Sequence, residues 1–178
     1  MSNKVYIAKS LDGYIADKEG GLGWLFAVPN PEVSDLGFLE FIDGVDAIVM
    51  GRVTFETICS FGGDWPYPRP TFVLSNSLKS IPKKYDEKAE LTSGSPKEVV
   101  TALNDRGYNS LYIDGGKTIQ GFLKEDMIDE MIISTIPVLL GGGITLFGDL
   151  SEMQEFNHVS TTVLIDEIAQ SHYRRKTQ

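Results

Sequence analysis

The chain has 178 residues, of which 42% are hydrophobic, and this is enough to bury one sizeable core. There is no composition shift and no Pro/Ser-rich linker, so we predict a single domain over residues 1–178. A net charge of -9 argues against a nucleic-acid partner, because binding a phosphate backbone requires a basic face.

Residue counts narrow the class of protein further. The single cysteine, Cys59, excludes an internal disulfide and a thiolate metal cluster. The two histidines, His158 and His172, do not have the spacing of a zinc site, and we expect no metal. The sequence shows neither a leader pattern nor an apolar run long enough to cross a membrane. We therefore expect a cytoplasmic protein with no membrane partner.

The first predicted elements are a strand, a loop and a helix. Residues 5–11 form an apolar, partly β-branched run that an Asp-Gly turn signal closes. The polar, glycine-rich loop of residues 17–23 ends at Trp24, which either covers a ligand or plugs the rim of the core. Asn-Pro-Glu at residues 30–32 resembles a helix start with proline in the first turn, and Gly44 is a plausible stop.

The next unit places a glycine at the end of a strand. Residues 46–50 form a buried strand, Gly51 follows at once, and Arg52 opens another helix. Arg52 either contacts a phosphate or forms a surface ion pair with Glu56 at i+4.

A loop rich in glycine and proline at residues 62–70 separates that helix from the following strand. This strand, residues 71–74, ends in the small polar residues Ser75 and Asn76. A Ser-Pro-Lys-Glu capping box then begins a helix over residues 95–107.

The most informative stretch is residues 110–123. A short apolar strand is broken by Gly115 and Gly116, and an amphipathic helix follows. The turn leaves the first N–H groups of the helix unpaired, and glycines let an anion approach the main chain closely. Lys117 and Thr118 add a cation and a hydroxyl group. We interpret this turn as a phosphate site, the alternative being that the glycine pair is only a tight connection.

The C-terminal part is predicted to be mainly β-structure. A strand at residues 130–140 is interrupted by Pro137, and three glycines follow it. Residues 157–165 and 168–174 form an antiparallel hairpin at the sheet edge. Strands that alternate with helices predict an α/β fold with an open, mostly parallel sheet and helices on both faces. Ligands of such sheets gather beyond the carboxyl ends of the strands, where the polar strand ends described above should meet.

Several spaced motifs together resemble a known superfamily. Met-Gly-Arg-x-Thr-Phe-Glu at residues 50–56 resembles the dihydrofolate reductase-like proteins. Ser-Leu-Asp-Gly-Tyr-Ile-Ala at 10–16, Asp-Gly-Gly-x-Thr at 114–118 and Pro-Val-Leu-Leu-Gly-Gly-Gly at 137–143 are more similar to the riboflavin-biosynthesis (RibD) C-terminal reductase domain. The resemblance covers nearly the whole chain. It implies the three-layer dihydrofolate reductase-like fold and an NADPH-dependent oxidoreductase.

The resemblance also implies roles for individual residues. Ala8 and Ile15 would line the nicotinamide and substrate pocket. Counting back from Gly51 places Asp35 where dihydrofolate reductases have the acidic residue that promotes protonation of the pterin, although acids also favour a first helical turn for structural reasons. Trp24 would contact the substrate. The residues implied to bind NADPH are Ala8, Ile15, Gly51, Arg52, Thr54, Ser75, Asn76, Gly115, Gly116, Lys117 and Thr118.

The implied substrate is a small pteridine or pyrimidine. The phosphoribosylamino-pyrimidine of the riboflavin-type reductases ranks slightly above dihydrofolate, since more motifs match that domain. The alternative is a non-catalytic NADP(H)-binding or interaction protein that retains the fold. The C-terminal hairpin and residues 137–143 could pair across a homodimer, as the resemblance suggests, or be covered within one chain.

Overall fold

A sheet of eight strands forms the centre of the computed structural model, which describes residues 1–30 and 32–176. Two further short strands, Tyr14–Ala16 and Ile144–Thr145, pair with each other outside this sheet. The strands are β1 (Ser2–Ser10), β2 (Tyr14–Ala16), β3 (Ala47–Gly51), β4 (Thr71–Leu74), β5 (Ala89–Thr92), β6 (Ser110–Asp114), β7 (Glu130–Ile136), β8 (Ile144–Thr145), β9 (Phe156–Leu164) and β10 (Ile168–Arg175).

The strand order confirms the predicted architecture. Along the sheet the order is β5-β4-β3-β6-β1-β7-β10-β9. The first six strands are parallel to one another, whereas β10 is antiparallel to both β7 and β9. The sheet is therefore mostly parallel and ends in a C-terminal antiparallel hairpin. The four-residue edge strand β5 has only one buried residue, Ala89, and its sequence carries little apolar signal.

Helices cover both faces of the sheet. They are α1 (Phe38–Asp43), α2 (Arg52–Ser60), α3 (Pro96–Asp105) and α4 (Gly116–Lys124), with short 3-10 helices at Gly23–Phe26 and Lys83–Tyr85. Because successive strand side chains point to opposite faces, β6 contributes Ile113 to the core under α3 and α4, and Tyr112 to the core under α1 and α2. None of these helices, within the described residues, has the length and hydropathy of a membrane span.

The predicted start of α1 is wrong. The helix begins at Phe38 rather than at residues 30–32, of which Pro31 lies outside the described residues. Asn30 is held in a loop instead, because its side chain accepts the N–H of Ser34 and donates to the carbonyl of Ser34. Gly37, with a φ of 91°, then precedes the first helical residue.

The predicted strand over residues 130–140 is too long. β7 ends at Ile136, because Pro137 has no N–H group to continue the ladder. By contrast, the capping box of α3 is present as predicted, with Ser95 and Glu98 bonding each other's backbone N–H groups.

Candidate functional site

Two strand-to-helix turns cross at the carboxyl edge of the sheet, where β3 leads into α2 and β6 leads into α4. A Cβ on Gly51 would lie 2.7 Å from Oγ1 of Thr118, and a Cβ on Gly115 would overlap Oγ1 of Thr54. Gly115 also has a φ of 91°, which residues with a side chain rarely adopt. We call these four residues the glycine–threonine crossing. It brings two predicted turns into direct contact.

Both helices that begin at this crossing lack a side-chain cap. Gly51 is the N-cap of α2 and Gly115 that of α4, and because glycine has no side chain, neither cap accepts a hydrogen bond from the first-turn N–H groups of its helix. Lys117 is exposed and Thr118 is buried in the first turn of α4. Since helix N-termini with free N–H groups attract anions, the crossing has the chemistry to hold phosphate groups.

Arg52 forms the surface ion pair with Glu56 that the sequence analysis gave as the alternative to a phosphate contact. Its Nη1 lies 2.7 Å from Oε2 and 2.9 Å from Oε1 of Glu56, one turn along α2. Both side chains are more than 40% exposed, so the pair contributes at most about 1 kcal/mol and a phosphate can compete for the guanidinium. A phosphate contact for Arg52 stays a prediction.

Ser75 and Asn76 follow the neighbouring strand end, because Leu74 of β4 is in register with Gly51. Oγ of Ser75 accepts the backbone N–H groups of Ser77 and Leu78 at 3.2 and 3.0 Å, and Asn76 is exposed. The three polar strand ends thus lie along one edge, as predicted.

Ile15 lies against the second glycine of the pair. A Cβ on Gly116 would be 2.5 Å from Cδ1 of Ile15, so a side chain there would displace the isoleucine. Ala8 and Trp24 instead share a small apolar cluster with Ile136. The buried Nε1 of Trp24 has no hydrogen-bond partner among residues 1–30 and 32–176. Trp24 thus packs at the rim of the core, and its contact with a substrate stays a prediction.

Asp35 does not have the environment that an acid catalyst requires. Its carboxylate accepts the N–H groups of Leu39 at 2.7 Å and Gly37 at 3.3 Å, and its side chain is exposed. These bonds lower the pKa of Asp35, so it is ionised at neutral pH. These contacts agree with the structural alternative for Asp35, an acid that stabilises the start of a helix. Because α1 starts only at Phe38, Asp35 precedes the helix and caps it.

A different carboxyl group, that of Asp114, is buried beside the glycine–threonine crossing. Asp114 ends β6, directly before Gly115, and is only 9% exposed. The hydroxyl group of Tyr67 donates to its Oδ2 at 3.2 Å. Burial raises the pKa of Asp114, although hydrogen bonding from Tyr67 and from the backbone N–H of Gly115 acts in the opposite direction. This group therefore holds a proton more readily than an ordinary aspartate does.

An aromatic wall that includes Tyr67, the hydrogen-bond partner of Asp114, lies on the α1 side of the sheet. The ring of Phe38 lies 6.2 Å from that of Tyr67, 6.3 Å from that of Tyr112 and 5.7 Å from that of Tyr6. The hydroxyl group of Tyr6 donates to the carbonyl oxygen of Leu36. Aromatic rings next to a buried carboxyl group with a raised pKa suit a flat heterocycle with polar edges.

Comparison with known proteins decides the family, because the profile of the RibD C-terminal domain matches residues 4–169. This chain belongs to the RibD C-terminal domain family. It is 51% identical to a provisionally named riboflavin biosynthesis protein from Shewanella sp. PV-4, whose crystal structure gives a TM-score of 0.97 with 99% of this chain and 100% of that chain covered.

More distant structures share the fold of this RibD C-terminal domain. A diaminohydroxyphosphoribosylaminopyrimidine deaminase/5-amino-6-(5-phosphoribosylamino)uracil reductase from Thermotoga maritima is 17% identical, with a TM-score of 0.76 and coverage of 98% of this chain and 56% of that chain. Dihydrofolate reductase from Enterococcus faecalis, complexed with NADP(H) and RAB-propyl, is 21% identical, with a TM-score of 0.68 and coverage of 99% and 97%. The dihydrofolate reductase-like fold is therefore confirmed.

Sequence reasoning missed two residues of this RibD C-terminal domain. Asp114 could have been found, because it directly precedes the glycine pair at the end of a buried strand. Tyr67 could not, since it lies 47 positions away in the glycine- and proline-rich loop and reaches Asp114 only through the fold.

Proposed function

We propose that the protein is an NADPH-dependent reductase. The carrying observation is the glycine–threonine crossing, where two uncapped helix N-termini meet at the carboxyl edge of the sheet. Gly115 to Thr118 would hold the pyrophosphate, Gly51 and Thr54 would contact phosphate oxygens, and Ile15 would lie against the nicotinamide. When bound, NADPH supplies the hydride.

The protein's own contribution to the reaction is a proton. We assign this role to Asp114, because its burial favours the protonated form and its position adjoins the glycine pair. The aromatic wall excludes water and aligns the acceptor with the cofactor. Asp35, an exposed and ionised cap, orders the start of α1 instead.

The proposed substrate carries a C=N or C=O group in a pyrimidine- or pteridine-type ring. Membership of the RibD family and the likeness to a uracil reductase support the phosphoribosylamino-pyrimidine slightly above dihydrofolate. The test is to incubate the protein with NADPH and a panel of dihydropterins and phosphoribosylamino-pyrimidines, and to follow the absorbance of the reduced nicotinamide. Oxidation with a panel member supports the reductase. Tight NADPH binding without any oxidation would favour the non-catalytic binding protein.

Arg52 gives a prediction about cofactor choice. We expect Arg52→Ala to weaken NADPH about 10–100-fold and NADH less than about threefold, because a charge-assisted contact to the 2′-phosphate is lost. Calorimetric titration of both cofactors measures this difference. Arg106→Ala is the matched control, since Arg106 forms a similar exposed pair with Glu90 near the amino ends of the strands. An equal loss for both cofactors would show that Arg52 does not contact the 2′-phosphate.

We also propose that a second copy of the chain pairs with the edge strand β9. Seven of the nine residues of β9 are exposed, and none of the nine is charged. Proteins usually protect a long edge with charges, so an uncharged one favours pairing with another strand. We expect light scattering to report a dimer for the wild type and a monomer for Thr161→Lys, whereas Thr101→Lys, at an exposed position of α3, should remain dimeric. A wild-type monomer would contradict this proposal.

A further inference from the structure

Tyr67 reaches the proposed site from a loop that connects α2 to β4. Its hydroxyl group donates to Oδ2 of Asp114, the carboxyl group that we assign as the proton donor. The two residues are 47 positions apart, so the contact exists only because the loop folds back over the carboxyl end of β6. The loop thereby adds a side chain to a site otherwise built from strand ends and helix starts.

The ring of Tyr67 is held on two sides. It packs edge-on against Phe38 of α1 at 6.2 Å and against Trp65 of the same loop at 5.7 Å. Trp65 is in turn packed against Phe55 of α2 at 5.9 Å and Tyr85 at 5.8 Å. Such packing fixes the direction of the hydroxyl group, as a supporting residue of an active site requires.

The hydroxyl group of Tyr67 keeps its proton and can donate it to Asp114. Burial and the neighbouring Asp114 raise the pKa of Tyr67, so the phenol keeps its proton at any physiological pH. A hydrogen bond from a phenol to a carboxyl oxygen is stronger when the carboxyl group is ionised. The contact therefore favours the carboxylate form of Asp114, whereas burial favours the acid.

We infer that Tyr67 is a positioning residue of the reductase, which orients Asp114 and stabilises the carboxylate that remains after Asp114 has given its proton to the substrate. This inference rests on the proposed function. In the reaction, the carbon of the substrate's C=N or C=O bond gains a hydride from NADPH, and the nitrogen or oxygen gains the proton of Asp114. The substrate is reduced, the cofactor leaves as NADP⁺, and Asp114 is reprotonated from solvent.

The titratable groups around Asp114 are few. Tyr112, on the same strand, influences the pKa of Asp114. Its hydroxyl group donates to the carbonyl oxygen of Tyr6. Tyr6 on β1 interacts electrostatically with Tyr112, and Asp35, which precedes α1, interacts electrostatically with Tyr6. All of these groups stay in place when only the hydroxyl group of Tyr67 is removed, so a change in the titration of Asp114 would report that single contact.

The test compares Tyr67→Phe with Tyr85→Phe. Tyr85 belongs to the same aromatic group, but its hydroxyl group lies 3.3 Å from the carbonyl oxygen of Cys59 and not near Asp114. The ionisation of Asp114 is followed by carbon-13 NMR of its carboxyl group, assigned by comparison with Asp114→Asn, with and without NADPH. We expect Tyr67→Phe to move this titration to higher pH, and Tyr85→Phe to leave it unchanged.

Kinetics give a second readout. With the panel substrate that is reduced fastest, Tyr67→Phe should lower kcat roughly 10–100-fold, the cost of one charge-assisted hydrogen bond, with KM and NADPH affinity nearly unchanged. As a check that needs no substitution, wild-type protein labelled with 3-fluorotyrosine, whose phenol is the stronger donor, should move the titration of Asp114 to lower pH.

The outcomes separate the inference from the proposed function. If NADPH binds and the titration of Asp114 is the same in wild type and Tyr67→Phe, the inference is overturned while the reductase stands. If Tyr85→Phe has the same effect as Tyr67→Phe, the role of Tyr67 is merely structural and the inference is again overturned. If NADPH does not bind the wild type, the proposed function fails and the inference fails with it.

Discussion

Gly115→Ala is expected to weaken NADPH binding by at least about 100-fold, equivalent to the loss of one or two charge-assisted backbone contacts. The new Cβ would overlap Oγ1 of Thr54, so the two turns of the glycine–threonine crossing would have to separate. Separation moves the first-turn N–H groups of α2 and α4 apart, and a pyrophosphate could then no longer contact both. Calorimetric titration of the variant with NADPH measures the loss.

Gly107→Ala is the matched control. Gly107 has a φ of 92°, close to the 91° of Gly115, but a Cβ there would meet no atom within 4 Å. Both substitutions place an alanine at a positive φ, which costs at least about 1–2 kcal/mol, and only Gly115→Ala forces the two turns of the crossing apart. If Gly107→Ala also removes NADPH binding, general destabilisation explains both results and the crossing is not the site.

Asp114→Asn is expected to lower kcat about 10²–10⁴-fold and to leave the affinity for NADPH within about twofold. The amide can still accept the hydrogen bond of Tyr67 but cannot deliver a proton. Asp35→Asn should leave kcat nearly unchanged, since Asp35 caps α1 and is exposed. Steady-state kinetics of both variants with one substrate decide between the two acids. The opposite ranking would return the role of proton donor to Asp35.

Although Asp114→Asn is expected to lower kcat, we expect it to raise the free energy of unfolding relative to wild type as pH rises. The folded-state pKa of Asp114 is above its unfolded value of 3.8, so the folded state binds the extra proton. This stabilisation is fully present below the unfolded pKa and is lost as pH rises through the folded pKa. Without the carboxyl group this loss disappears. The variant should therefore gain stability relative to wild type as pH rises, in urea unfolding measured at several pH values.

The fold could be predicted because its signals are local. Apolar strands, glycine turns and the capping box at Ser95 each lie within a few residues of sequence, and their order fixes a mostly parallel sheet. The same reasoning located the crossing in outline, because Gly51 and Gly115 each directly follow a strand. The direct packing of each glycine against a threonine of the other turn needed the structure.

The acid of the site could not be predicted by counting residues. An ungapped count from Gly51 selects Asp35, but that count assumes a helix reaching back past residue 35, and α1 is only six residues long. The positive φ angles of Leu36 and Gly37 delay the start of the helix to Phe38, and no motif in the sequence predicts this. Tyr67 depends on a long-range contact and was equally invisible.

The central claim is that the glycine–threonine crossing binds NADPH. NMR of nitrogen-15-labelled protein titrated with NADPH tests this claim most directly. We expect the largest shifts at the backbone amides of residues 51–54 and 115–118, in the first turns of α2 and α4. Shifts confined to another surface, such as the open groove of about 590 Å³ lined by Arg69 and Arg106, would contradict the account. So would an unchanged spectrum at saturating NADPH.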